Sequence, residues 1–190
     1  MRDVTVVVPS YNHEPFIERT LRSVFAQTLP PKRLIVIDDG SKDESVKIIE
    51  KALKDCPFEH QFIQRENRGL SATLNQAFSL SDSEFFAYIG SDDTWRPEYL
   101  ALRVGLLNDR ADAVLAFGHA FLIDEQDRIM DCTKDWKRFA DGDVLQNLLN
   151  GVVPVTSGVV FRSAALHGLS WNEDAILEDY ELYLRLSVRG

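Results

Sequence analysis

Two pairs of adjacent aspartates mark where this chain concentrates its chemistry. One pair closes the run Leu34-Ile35-Val36-Ile37-Asp38-Asp39-Gly40-Ser41, and the other closes Phe85-Phe86-Ala87-Tyr88-Ile89-Gly90-Ser91-Asp92-Asp93. In both, apolar β-favouring residues stop abruptly at two carboxylates. In an open α/β sheet, ligands bind outside the carboxyl ends of the strands. Carboxylates gathered there hold a divalent cation or accept hydrogen bonds from ligand N–H and O–H groups. Two neighbouring carboxylates at a buried strand end repel each other unless a cation or a donor is supplied, which makes Asp92-Asp93 the sharper pair. Each pair also has a purely structural reading, because aspartate caps helices and is stabilised at their N-termini. Taken as chemistry, the two pairs describe a metal-assisted site for a nucleotide ligand.

Other loops add weaker signals. Pro9-Ser10-Tyr11-Asn12 follows an apolar run, and a tyrosine there can lie flat against a base. The same residues also describe a plain loop with a proline stop and an Asn turn. Asn67-Arg68-Gly69-Leu70-Ser71 opens an apolar-periodic segment, where backbone donors suit an anion or a ribose. Arg68 faces a phosphate or simply solvent. Glu178-Asp179 begins another periodic segment, where the helix macrodipole alone explains the acids. His13, His60, His119 and His167 have no metal-ligand spacing, and Trp95, Trp136 and Trp171 read as packing residues.

The elements that must position these residues alternate. Residues 4–8, 34–37, 58–64 and 85–89 read as strands, the first stopped by Pro9. Between them Ile17, Leu21, Val24 and Phe25, then Val46, Ile49 and Leu53, then Leu70, Leu74, Ala77 and Phe78 recur at helical spacing, with Leu100, Val104 and Leu107 following. Pro15 and Pro97 suit helix starts. This β-α-β-α order implies a mostly parallel sheet covered on both faces. Near Ala111 the pattern changes. Residues 113–123 read as one long strand ending in the turn-like Asp124-Glu125-Gln126-Asp127, 144–149 as a short helix, 155–161 as a strand, and 177–188 as a helix. The expectation is one domain, residues 1–190, with a ligand-binding half at 1–110 and a second half at 111–190. The chain stops straight after a helix, as a piece of a longer parent would.

Composition limits the alternatives. The 190 residues suffice for one sizeable core, with 45% hydrophobic and 27% charged residues as in ordinary globular domains. A net charge of −9 argues against a nucleic-acid surface and favours a cation wherever phosphate is bound. Cys56 and Cys132 have neither disulfide-framework nor zinc spacing. No apolar run approaches the ~18 residues of a membrane span, and the N-terminus lacks a signal-peptide pattern. A cytoplasmic location is expected, with peripheral association at the inner membrane face left open.

The joint order of Val6-Val7-Val8-Pro9-Ser10-Tyr11-Asn12, Ile37-Asp38-Asp39-Gly40-Ser41, Asn67-Arg68-Gly69-Leu70-Ser71, Ser91-Asp92-Asp93 and Glu178-Asp179-Tyr180-Glu181-Leu182 resembles the family 2 inverting glycosyltransferases of the GT-A fold. That resemblance implies a nucleotide-sugar donor, usually UDP-linked, a Mg²⁺ or Mn²⁺ ion, and a glycan or lipid-linked hydroxyl acceptor. It implies that Tyr11 lies beside the base with Pro9 and Ser10 in the same loop. Asp39 then contacts the pyrimidine, Asn67 and Gly69 line the donor, Asp92 contacts ribose or sugar, and Asp93 binds the metal in a DXD-type motif. Asp179 matches the catalytic base of the family's ED motif. The acceptor is expected near 155–158, where Ser157 and Gly158 leave room. One departure is Gly90, where many members carry an acid. Polysaccharide or glycan assembly is the usual setting of the family. Two rivals have defined signatures. A phosphoacceptor signalling module needs a lone aspartate after its third strand and a lysine after its fifth, whereas here Gln64-Arg65-Glu66 follows the third. A non-catalytic sugar-nucleotide-binding domain has no need of Asp179.

Overall fold

The apolar runs ahead of the aspartate pairs are neighbouring strands at the centre of one sheet. The computed structural model describes residues 3–135 and 144–188, so Trp136 lies outside the described residues. In chain order the first elements are β1 (Val4–Ser10), α1 (Ile17–Phe25), β2 (Arg33–Asp38), α2 (Ser45–Leu53), β3 (Glu59–Gln64), α3 (Leu70–Ser79), β4 (Phe85–Tyr88) and α4 (Tyr99–Asp109). Then follow β5 (Leu115–Ala116), β6 (Phe121–Ile123), β7 (Ile129–Cys132), α5 (Leu145–Leu149), β8 (Val160–Arg162), α6 (Ser163–Leu166) and α7 (Glu178–Leu186). The sheet order is β3-β2-β1-β4-β8-β5, with β1 to β4 parallel and β8 antiparallel to both its neighbours. β6 and β7 form a separate hairpin.

Strand alternation divides the core into two layers. Val4, Val6, Val8, Leu34, Val36, Phe85 and Ala87 face α1, α2 and α4, meeting Ile17, Leu21, Ile49, Leu100 and Val104. Val7, Ile35, Ile37, Phe86 and Tyr88 face the other way, against Leu74, Leu166, Trp171, Leu182 and Leu186. Full burial of each such aliphatic side chain is worth roughly 1.5–3 kcal/mol. Because β1 and β2 are buried on both faces, they read as continuous apolar runs rather than as alternating ones.

Pro9 does not stop β1, which continues to Ser10. The Val7 carbonyl accepts from Ile89 N on the β4 side, and the Ser10 carbonyl accepts from Asp39 N on the β2 side. Pro9, in phase with Val7, therefore turns its missing N–H toward β4, beyond the last pairing of Val7 with Tyr88. The expected strand at 113–123 is in fact two short strands. At Gly118, between them, a Cβ would come within 2.3 Å of the Arg103 guanidinium, so that side chain fills the space a strand residue would need. The expected strand at 155–161 begins instead as a 3-10 turn, Thr156–Gly158, and only Val160–Arg162 pairs. Hydroxyl contacts hold that turn to the site described next.

Candidate active site

Four loops meet at the carboxyl ends of β1, β2, β3 and β4, where the order of strands reverses about β1. β1 ends at buried Ser10, whose hydroxyl has no hydrogen-bond partner among the described residues, and the loop after it carries Tyr11, 47% exposed. Asn12 adopts φ +54° and is stitched to the second loop: its N–H donates to Ser41 Oγ at 2.9 Å, and its Oδ1 accepts from Lys42 N at 2.8 Å. His13 places Nδ1 2.6 Å from Ser91 Oγ, which ties the first loop to the fourth.

The two aspartates after β2 do different work. Asp38 closes its own turn, accepting from Gly40 N, Ser41 N and Ser41 Oγ. Asp39 reaches across to the third loop. Its Oδ1 accepts from Arg65 Nε at 2.8 Å and Arg68 N at 3.0 Å, and its Oδ2 from Arg68 N at 3.1 Å and Gly69 N at 2.7 Å. A carboxylate has about four lone-pair directions, so these protein donors occupy most of its capacity. Arg65 itself is nearly buried, its remaining nitrogens donating to Gln76 Oε1 and Thr73 Oγ1. Gly40, at φ +86°, admits this closeness, since a Cβ there would lie 2.9 Å from Asn67 N. Gly69, also at φ +86°, starts α3, while the side chains of Asn67 and Arg68 remain exposed.

After β4, buried Thr20 of α1 donates through one hydroxyl toward the carbonyls of Ser91 and Asp93, at 2.9 and 2.7 Å. This fixes the backbone beneath the second aspartate pair. Asp92 keeps about half its side chain exposed. Asp93 is exposed, yet crowding by protein atoms raises its carboxyl above the ordinary aspartate range; the neighbouring Asp92 adds to the rise, and a Ser157 hydroxyl opposes it. Gly90 shapes this corner: a Cβ there would sit 3.0 Å from Asp92 Oδ1, 3.2 Å from Asp93 Oδ2 and 3.6 Å from Ser157 Oγ. The absence of a side chain at Gly90 lets both carboxylates fold back over the strand end.

Asp179, in the first turn of α7, is half-buried. Its Oδ2 accepts the Thr156 hydroxyl, and its Oδ1 accepts Tyr180 N at 2.7 Å. Ser157, the next residue, donates to Asp93 Oδ2 at 2.5 Å and accepts from Gly90 N at 3.0 Å. The fold therefore brings Asp93 and Asp179 to adjacent residues of one turn. Sequence reasoning missed Thr156, Thr20 and Arg65 as parts of the site, and took Ser157 only for spare room. Thr156 and Ser157 fell inside an expected strand, so no local signal marked them.

Among the described residues no three His, Cys, Asp or Glu side chains converge as a metal cluster. The donor set still fits a hard divalent cation held by one or two carboxylates and completed by ligand phosphates. The raised Asp93 carboxyl is a group that a neighbouring cation would return to its charged form. Also among the described residues, no helix is long and apolar enough to cross a membrane. β3 passes into Arg65, so a guanidinium rather than a lone carboxylate enters the site from the third strand, unlike a phosphoacceptor module.

Residues 5–166 match the model of glycosyl transferase family 2. An uncharacterized glycosyltransferase of Nostoc is 29% identical over 86% of this chain and 52% of its own length. The putative teichuronic acid biosynthesis glycosyltransferase TuaG of Bacillus subtilis is 26% identical over 80% of this chain and 60% of its own. The chain thus spans about half the length of the curated relatives it matches. In fold it is similar to residues 1–349 of S. aureus TarS, solved in complex with UDP, with a TM-score of 0.72, 21% identity, and coverage of 98% of this chain and 54% of that one. It is equally similar to the mannosyltransferase PcManGT of Pyrobaculum calidifontis, solved with GDP-Man and Mn²⁺, with a TM-score of 0.73, 20% identity, and coverage of 99% and 52%. These likenesses show a GT-A glycosyltransferase fold.

Proposed function

Because the chain belongs to glycosyl transferase family 2, we propose that it transfers a sugar from a nucleotide-sugar, most simply a UDP-sugar, to a hydroxyl acceptor with inversion at the anomeric carbon. The observation that carries this reading is the meeting of Asp93 and Asp179 at the adjacent residues Ser157 and Thr156, the closeness that a cation-side carboxylate and a general base would need. The solved neighbours with UDP, and with GDP-Man and Mn²⁺, support a nucleotide-sugar and a divalent ion. Names such as TuaG support a place in surface-polysaccharide assembly.

In this reading Tyr11 lies against the base, with Pro9 and Ser10 in the same loop. Asp39 fixes the loop of Asn67 and Gly69 around the nucleoside and shares an oxygen with a pyrimidine N–H. Asp92 faces the ribose or sugar, and Asp93 would hold Mg²⁺ or Mn²⁺. When bound, that ion neutralises charge on the departing diphosphate. Asp179 accepts the acceptor hydroxyl's proton as its oxygen attacks the face opposite the leaving group, a general-base role worth typically ~10²–10⁴-fold. Residues 1–110 then form the donor half and 111–190 the acceptor half.

The test is calorimetric titration with UDP, GDP and dTDP, with Mn²⁺ and with EDTA, followed by donor screening for nucleotide release. Binding of UDP in Mn²⁺ that weakens sharply in EDTA is expected. Absence of nucleotide binding under both conditions refutes the reading.

A further inference from the structure

Two consecutive hydroxyl side chains each hold one of the carboxylates on which the proposed transfer depends. Thr156 donates to Asp179 Oδ2, and Ser157 donates to Asp93 Oδ2. We propose that Thr156 is the positioning residue of Asp179 and Ser157 that of Asp93, so that the turn Thr156–Gly158 sets base and cation-side carboxylate as one unit. This rests on the glycosyl-transfer reading above.

The turn is anchored well enough to do this. The Ser157 carbonyl accepts from Trp95 Nε1 at 2.6 Å, its Oγ accepts from Gly90 N at 3.0 Å, and Gly158 N donates to the Val155 carbonyl at 2.8 Å. With Gly90 N–H on its oxygen and its proton on Asp93, the Ser157 hydroxyl has little rotational freedom left. Trp95 is itself held, stacked on Tyr99 with ring centroids 4.1 Å apart. Asp179 is pinned at both oxygens, by Thr156 and by Tyr180 N, which fixes the plane of its carboxylate.

Tyr88, Trp171 and Tyr183 are all buried, with the Tyr88 phenol near the Thr156 hydroxyl and Trp171, and the Tyr183 phenol near the same Thr156 hydroxyl. Burial keeps the Tyr88 and Tyr183 phenols protonated, and both lie within electrostatic reach of Asp179 and Thr156. Among the described residues, the Thr156 hydroxyl is the side-chain donor bonded to Asp179. Placement matters because an error of about 1 Å in a reacting group costs on the order of 10²-fold in rate.

The experiment compares Thr156→Val, which keeps the shape and removes the hydroxyl, with Thr156→Ser, which keeps the hydroxyl, and with Ser157→Ala. Thermal unfolding first establishes that each is folded. Steady-state sugar transfer and calorimetric UDP binding, in Mn²⁺ and in EDTA, are then measured. Thr156→Val should lower kcat by about tenfold or more, the scale of one lost hydrogen bond to a charged group, with donor KM and UDP affinity unchanged. Thr156→Ser should recover most of that loss. Ser157→Ala should weaken UDP binding several-fold in Mn²⁺ and leave binding in EDTA unchanged. Full kcat in Thr156→Val, or equal kcat in the Val and Ser variants, overturns the role of Thr156. Unchanged Mn²⁺-dependent affinity in Ser157→Ala overturns that of Ser157. An unsubstituted protein that binds UDP but transfers no sugar counts against the glycosyl-transfer reading instead, and removes the basis of this inference.

Discussion

Replacing Arg65 with methionine should destabilise the protein by about 3 kcal/mol, far more than loss of an exposed ion pair. The guanidinium is 11% exposed and its partner Asp39 6% exposed, with Nε 2.8 Å from Oδ1. Two further bonds of 2.6 Å run to Gln76 Oε1 and Thr73 Oγ1. Methionine keeps the apolar stem but strips Asp39 of its only side-chain cation among the described residues. Breaking a buried pair by removing one partner costs roughly 3–5 kcal/mol. The surviving Arg68 and Gly69 N–H donors offset part of this, which places the estimate at the low end. For a chain of 190 residues, that corresponds to a fall of about 6–12 °C in Tm. Urea unfolding followed by circular dichroism should show a lower midpoint at unchanged slope. Asp39→Asn combined with Arg65→Met should cost at least about 1 kcal/mol less than the sum of the single changes. A loss below about 1 kcal/mol, or strict additivity, would refute the view that Asp39 and Arg65 act as one clasp between the second and third loops.

Asp179→Asn should cut transfer by at least ~10²-fold while leaving UDP affinity nearly unchanged, because only a transition-state interaction is lost; full activity in a folded variant would remove Asp179 as the base. Gly90→Ala should weaken UDP binding in Mn²⁺ with little effect on stability, since its Cβ would press on Asp92 Oδ1 and Asp93 Oδ2 at 3.0 and 3.2 Å; wild-type affinity would show that these carboxylates move freely. The crowded Asp93 carboxyl is raised above its ordinary range, so its proton competes with a cation at higher pH than an ordinary aspartate's would. Affinity for UDP in Mn²⁺ should therefore decline as pH falls through that raised pKa, and Asp93→Asn should flatten the profile. Without metal the sign for stability is opposite: the folded state holds this proton more tightly, so stability contributed by Asp93 is present at low pH and lost as pH rises through the raised value. Unfolding curves across pH for the two proteins would check that difference.

The first half of the chain was legible in sequence because its determinants are local. A parallel strand buried on both faces must be a continuous apolar run, with loops following its carboxyl end, so β1, β2 and β4 stand where the residues indicated, save that β1 runs on through Pro9 to Ser10. The second half was less legible because its geometry is decided at a distance. The break at Gly118 follows from Arg103 of α4, and the turn at Thr156–Gly158 follows from Gly90, Asp93 and Asp179. Nothing near Thr156 or Ser157 in sequence encodes those partners. Asp39 shows the same limit on a smaller scale. Its place in the site was readable, but the four hydrogen bonds that bind it to the third loop depend on the fold of Arg65 to Gly69.

Ladder length divides the molecule mechanically. β1 pairs with β2 over six register positions and with β4 over four, all within the buried centre of the sheet. β5 holds to β8 through two register pairs, and the β6–β7 hairpin stands apart from the main sheet, with Phe121, Leu122, Ile129 and Met130 exposed. Opening free energy follows the number of bonds and the buried area that must be given up together. The strands beneath Asp39 and Asp93 open only with the core, whereas β5, β6 and β7 are held by fewer pairings and open at lower cost. Amide exchange should follow that division, slow in β1 and β2 and fast in the hairpin. The turn of the hairpin is nonetheless tied to the fourth loop, because Asp127 pairs with Arg19, which also donates to the Asp92 carbonyl at 3.4 Å, so a change at that turn reaches the second aspartate pair while one elsewhere in the hairpin is absorbed where it occurs.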